Sequence, residues 1–159
     1  KDDQTHRLLS EALAKRDIHR EYEAIVYGAF PTDRGTIDEP IGRSRSDSGK
    51  MSVRGRAMRE ACTHYEVLER LDQVTRLRVI LDTGRTHQIR VHMASTGHPI
   101  LGDPLYGIKK ERYNLPYQML HAVKLTFTHP RTGEELSFTS ELTEPYRELL
   151  RVLRIQNGQ

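Results

Sequence analysis

The chain switches repeatedly between a period-two and a helical spacing of apolar positions. From His19 to Tyr27 the residues alternate, with Tyr22, Ala24 and Val26 on one side, and this predicts a strand. Ala61 to Arg70 and Val74 to Asp82 alternate in the same way and are joined by the short polar turn Leu71 to Gln73, which predicts an antiparallel hairpin. In its second strand Leu77, Val79 and Leu81 share one face, while Arg76 and Arg78 share the other. A further strand is predicted over Met119 to Thr128, with Val123, Leu125 and Phe127 opposed to Lys124. The turn His129-Pro130-Arg131-Thr132-Gly133 then leads to a return strand over Leu136 to Thr139.

Helical spacing appears in three places. Asp3 to Arg16 carries the stripe Leu8, Leu9, Ala12 and Leu13. Glu144 to Ile155 places Tyr146, Leu149, Leu150 and Leu153 on one side and Arg147, Arg151 and Arg154 on the other. Between them a short helix is predicted from about His87, with Thr86 as its N-cap and Gly97 and His98-Pro99 as its stop. Gly28 to Gly55 is rich in Gly, Ser, Pro and Arg, with one short strand predicted around Thr36 to Ile41, and Lys109 to Tyr117 reads as loop. No internal repeat is present. These elements predict one α+β domain with a mixed, largely antiparallel sheet flanked by helices.

Composition narrows the setting. At 159 residues, 36% hydrophobic and 30% charged, the chain fits one domain with a sizeable core and a polar surface. Cys62 is the sole cysteine, which excludes an internal disulfide and fits a reducing, cytoplasmic compartment. No apolar run reaches membrane-span length and no signal-peptide pattern occurs, so no membrane partner is expected. The chain opens on Lys1 without a Met and is expected to be part of a longer product.

Charge adds a candidate partner. The net charge is only +3, yet the stretch from Ile41 to Glu60 holds Arg43, Arg45, Lys50, Arg54, Arg56 and Arg59 against Asp47 and Glu60. Arg is favoured over Lys throughout, and Arg suits bidentate phosphate contacts and stacking on bases. A flexible basic hairpin here would track a nucleic-acid backbone, although such runs also occur as plainly solvated loops.

The strand ending at Asp82 gives way at Thr83-Gly84 to the short helix, with Arg85 on the turn and Arg90 one helical turn inside. Two guanidinium groups beside helix N-terminal N–H groups suit a phosphate or a carboxylate. His87, His92 and His98 in the same stretch do not make a ligand set, because their spacing separates them and no nearby acid or thiol completes one, so no metal is expected.

The stretch GRTHQIRVHMASTGHPILGDPLYG, Gly84 to Gly107, closely resembles the third sequence motif of the Rlu-type pseudouridine synthases, which isomerise uridines in large-subunit ribosomal RNA. The resemblance covers nearly the whole chain. HREYEAIVY resembles the second motif, with Arg20 in place of the usual lysine and Tyr22 matching the active-site tyrosine; as an isolated strand residue Tyr22 would read as core. Leu120-His121-Ala122 resembles a segment whose leucine shapes the base pocket. The resemblance implies that Arg90 and Tyr22 are catalytic, Arg90 pairing with a nucleophilic aspartate. It also implies that Leu120 supports the base, that Arg85 braces the turn or binds phosphate, and that Arg43, Arg45, Arg54 and Arg56 contact RNA. No cofactor is implied.

The aspartate itself is missing. His6-Arg7-Leu8 mimics the opening of the family's HRLD motif, but Leu9 stands at the nucleophile's position and the segment is helical in pattern. Asp103, in a Gly-Asp-Pro turn, is expected to be structural. Residues 1–159 are therefore expected to form one incomplete, N-terminally truncated catalytic domain, inactive alone, with Arg90 lacking its carboxylate. An open sheet edge and self-association are also expected. A non-catalytic RNA-binding module on the same scaffold is the alternative, and a domain with no nucleic-acid role would require the long match to be accidental.

Overall fold

A computed structural model describes residues 18–159 and, ahead of them, Gln4 and Arg7. Of the predicted Asp3 to Arg16 helix only these two are described, both helical and exposed; the rest lies outside the described residues.

Nine strands and two helices make up the described part. Six strands form one sheet in the order β2-β6-β7-β1-β8-β9: β1 (Ile18–Tyr27), β2 (Arg34–Asp38), β6 (Cys62–Leu71), β7 (Val74–Leu81), β8 (Leu120–Thr128) and β9 (Glu135–Thr139). Every pairing among its described strands is antiparallel, in keeping with the largely antiparallel sheet expected. The β6–β7 hairpin closes through a two-residue turn in which Asp72 takes φ 66°, the left-handed geometry that matches the twist of paired strands.

The two faces of this sheet are covered differently. The short helix Gln88–Ser95 lies against one face, where Thr63 of β6 bonds His92. The closing helix Glu144–Gln156 lies on the other, where Tyr146 donates to Glu23 and Arg154 grips Glu69 in a two-pronged ion pair at 2.8 Å. Tyr146, Leu149, Leu150 and Leu153 are all buried, as their spacing predicts. Each fully buried Leu contributes roughly 1.5–3 kcal/mol. One cluster containing Ala24, Ile25, Val26, Leu77, Val79, Ile89 and Met93 joins both layers to the sheet.

The basic Gly28 to Gly55 region is more ordered than expected of a flexible hairpin. Strands β3 (Ile41–Arg43), β4 (Met51–Ser52) and β5 (Arg56–Arg59) form a second sheet in the order β4-β3-β5. Ile41 and Ala61 bury against Val91 of the short helix, with Met51, Val53 and Tyr106 packed around them. That small apolar contact fixes the basic sheet beside the helix, a tertiary effect with no periodic signature in so short a run. No described helix is long and apolar enough to cross a membrane.

Candidate active site

Sheet register places two of the predicted residues together. Ala24 lies opposite Leu120 and Tyr22 opposite Ala122, so Tyr22 and Leu120 are diagonal neighbours on one face of β1 and β8. A register shift between Glu21 and Tyr22 lets the bulged β8 pass Val123 without a partner.

The turn after β7 is held by a compact polar network. Thr83 Oγ1 accepts the Cys62 N–H at 3.0 Å and donates to Gln88 Oε1 at 2.7 Å. Gln88 Oε1 also accepts the Arg85 N–H at 3.0 Å, and its amide nitrogen donates to Cys62 O and Thr63 Oγ1. Gln88 is 2% exposed, and its bonds to the Thr63 and Thr83 hydroxyls are fully buried. The N-cap position belongs to His87 rather than Thr86, in a left-handed conformation with φ 56° and no side-chain cap bond. That geometry costs about 1–2 kcal/mol for a non-glycine residue. It turns the imidazole outward from the helix start, where Nδ1 meets the Tyr106 hydroxyl at 2.8 Å.

Arg20, Tyr22, Arg85, His87, Arg90 and Leu120 line one cavity of about 210 Å³. Four of the predicted site residues, drawn from three separate stretches of chain, are thus brought to one place. Arg90 is 9% exposed and donates through Nε and Nη2 to the two carboxylate oxygens of Asp103, at 2.9 and 2.7 Å. Asp103 Oδ1 also accepts the N–H groups of Leu105 and Tyr106. Burial pushes the Asp103 carboxyl up, but the bonds from Arg90 and the two N–H groups outweigh it and hold the group below the usual carboxylate range. Arg90 therefore does not lack a carboxylate, contrary to expectation: Asp103 occupies one edge of its fork, and among the described residues nothing bonds Nη1.

The other arginines are placed less symmetrically. Arg85 turns its Nε onto Glu60 O at 2.7 Å, bracing the turn. Arg20 lies across Gly84, where an added Cβ would collide with its Nη1, and its buried Nε has no bonding partner among the described residues. Arg43, Arg45, Arg54 and Arg56 are exposed on and beside the small sheet and do not line the cavity. The link between the two regions is Tyr106. Its hydroxyl accepts the Met51 N–H of β4 at 2.9 Å while meeting His87, and its ring lies 5.2 Å from the Arg90 guanidinium.

His92 bridges Thr63 Oγ1 and Glu39 O, and His98 bonds Tyr27 O, so the histidines of this stretch are dispersed among protein partners. The roles of Asp103 as fork partner and of His87 and Tyr106 as connectors were not legible in the chain order; the adjacency of Gly102-Asp103-Pro104 to Tyr106 was the only local signal.

Residues 1–95 match the family model described as RNA pseudouridylate synthase. The chain belongs to that family. A pseudouridine synthase relative from Bacillus subtilis, the uncharacterized RNA pseudouridine synthase YlyB, is 46% identical over 158 residues, covering 99% of this chain and 51% of that protein. Ribosomal large subunit pseudouridine synthase D of Vibrio cholerae is also 46% identical over 158 residues, covering 92% of this chain and 48% of the relative. The chain spans about half the length of these curated relatives. Among solved structures, human RNA pseudouridylate synthase domain containing 4 superposes with a TM-score of 0.77 at 26% identity, covering 97% of this chain and 69% of that one. Human RNA pseudouridylate synthase domain containing 1 gives 0.73 at 27% identity, covering 93% and 70%. The α+β architecture, with a helix on each sheet face, is the pseudouridine synthase fold.

Proposed function

We propose that this chain is the C-terminal part of the catalytic domain of an enzyme that converts uridine to pseudouridine in large-subunit ribosomal RNA. The observation that carries the reading is the convergence of Tyr22, Arg85, Arg90 and Leu120 on a single cavity beside a basic sheet. Relatives named ribosomal large subunit pseudouridine synthase D support the choice of RNA.

The reaction breaks the N1–C1′ glycosidic bond, turns the uracil, and joins C5 to C1′; a proton leaves C5 and N1 regains one. No redox change occurs, and uracil is both leaving group and returning nucleophile. A carboxylate that attacks within a water-poor pocket must be kept ionised, which a nearby guanidinium achieves. Asp103 takes the Nε and Nη2 edge of Arg90, leaving Nη1 to meet an aspartate supplied by sequence outside these 159 residues. Asp103 thereby sets the direction of the guanidinium. Tyr22 packs against the uracil, Leu120 supports it, and Arg85 holds the turn. The target base leaves its stack to enter the cavity while Arg43, Arg45, Arg54 and Arg56 hold flanking phosphates.

The test is tritium release from large-subunit RNA transcribed with uridine labelled at C5. The 159-residue chain alone is expected to release none, and a longer product carrying an HRLD-type segment is expected to release label unless Tyr22→Ala or Arg90→Lys is introduced. Release by the 159-residue chain would refute the assignment of the nucleophile. Salt-sensitive RNA binding without release by the longer product would favour the non-catalytic module.

A further inference from the structure

On the sheet face turned away from the cavity, β6 and β7 bring three unlike side chains to one point. Cys62 and His64 are two apart on β6 and project to the same side. Thr63 between them points the other way, to His92 and Gln88. Asp82 follows the last residue of β7 in a bend. The Cys62 sulfur lies 3.6 Å from His64 Nε2, and Asp82 Oδ2 lies 2.7 Å from the same nitrogen. All three donor atoms fall within 4.8 Å of one another. His64 Nδ1 meets Thr36 Oγ1 of the neighbouring β2 at 2.9 Å.

These residue types admit two chemistries, and the geometry separates them. A thiol–imidazole–carboxylate relay needs the acid on one ring nitrogen and the thiol on the other. Here both converge on Nε2, while Nδ1 is held by a hydroxyl that is not an acid. Convergence of sulfur, nitrogen and oxygen on one point is the arrangement of a ligand set. Zn–S and Zn–N bonds of about 2.3 and 2.05 Å at a tetrahedral angle separate the two donors by about 3.6 Å. That is the Cys62–His64 separation found. The Asp82 oxygen has to retreat to about 3.3 Å from Nε2 when an ion replaces the proton between them, and its position beyond the strand end allows that shift.

We propose that Cys62, His64 and Asp82 form a site for a borderline-soft divalent cation, with zinc the best match and solvent in the fourth position. On binding, the thiol proton passes to water, the ring proton moves from Nε2 to Nδ1, and thiolate and carboxylate together neutralise the dication. Asp38 and Glu60 share a recess of about 630 Å³ with Cys62 and Asp82 and add negative potential. Thr36 acts as the orienting partner, accepting from Nδ1–H so that Nε2 presents its lone pair. The ion would pin the start of β6 to the end of β7, one residue before Thr83 and three before Arg85. It would thus stiffen the turn that carries the cavity arginines, without entering the cavity.

The test is titration of the chelator-stripped 159-residue chain with Co²⁺ and then Zn²⁺, followed by near-ultraviolet absorption. A stoichiometric thiolate-to-cobalt charge-transfer band, displaced by zinc and lost in Cys62→Ala and Cys62→Ser, is the expected result. Thr36→Val is expected to weaken zinc binding about 10–100-fold while retaining the band at saturation. Asp82→Asn is expected to weaken it as well. Circular dichroism of each variant guards against misreading an unfolded chain as one that has lost its site. A cobalt complex with no thiolate band, a band that survives Cys62→Ala, or no uptake by the folded chain would overturn the site. None of these outcomes depends on isomerase activity.

Discussion

The hydroxyl of Tyr106 joins the His87 imidazole at 2.8 Å, and through this pair the basic sheet is tied to the helix that carries Arg90. His87 can reach the hydroxyl because it adopts a left-handed backbone at the helix start. Removing that hydroxyl leaves the Met51 N–H and one ring nitrogen without their partner. Tyr106→Phe should therefore cost about 1–3 kcal/mol, seen as a lower urea midpoint. Hydrogen exchange should show the Met51 amide losing protection out of proportion to global stability. An unchanged Met51 exchange rate would show that the link is not made in solution.

The Arg90–Asp103 pair has a pH signature. The Asp103 carboxyl is held below its usual range in the folded chain. Its contribution to stability is complete above the unfolded carboxyl value of about 3.9 and is lost as pH falls through the lower folded value. Thermal midpoints measured from neutral pH down to strong acid should show this loss. Asp103→Asn should flatten the acid limb, and at neutral pH it should cost on the order of 3–5 kcal/mol because a buried guanidinium loses its acid. A variant with the wild-type acid limb would remove Asp103 from the titration.

Arg43, Arg45, Arg54 and Arg56 are exposed and do not line the cavity, so their effect on RNA should be electrostatic. Each change to Gln should lower the slope of log affinity against log salt by about 0.7 for single-stranded RNA, with little change in stability. Fluorescence anisotropy across a salt series reads this directly. Arg85→Gln should behave differently, lowering stability as well, because its Nε braces Glu60 O.

Among the described strands β9 is an edge of the six-stranded sheet, and its Phe138 is 56% exposed beside the stacked ring of Phe127. An apolar side chain on an unpaired edge favours strand addition between copies. Sedimentation over a range of concentrations should show self-association that Phe138→Lys reduces. A concentration-independent monomer would exclude this edge as a contact.

Much of this architecture was legible along the chain. The β6–β7 hairpin and the buried positions Tyr146, Leu149, Leu150 and Leu153 follow from spacing alone, because periodic apolar residues leave few ways to bury one face. The match over Gly84 to Gly107 likewise singled out Arg90, which lines the cavity with Tyr22 and Leu120. Other relationships depend on which strands lie side by side. Asp103 takes one edge of the Arg90 fork across 13 positions, Tyr106 reaches β4 across 55, and Asp82 meets His64 across 18. The Cys62-Thr63-His64 alternation does put both ligand candidates on one side of a strand, yet the third comes from the bend after β7 and the orienting hydroxyl from β2. Local sequence determines a residue's periodicity and chemical type; its partner is decided by strand register and by the packing of the small sheet on the short helix, which sum contacts over the whole chain.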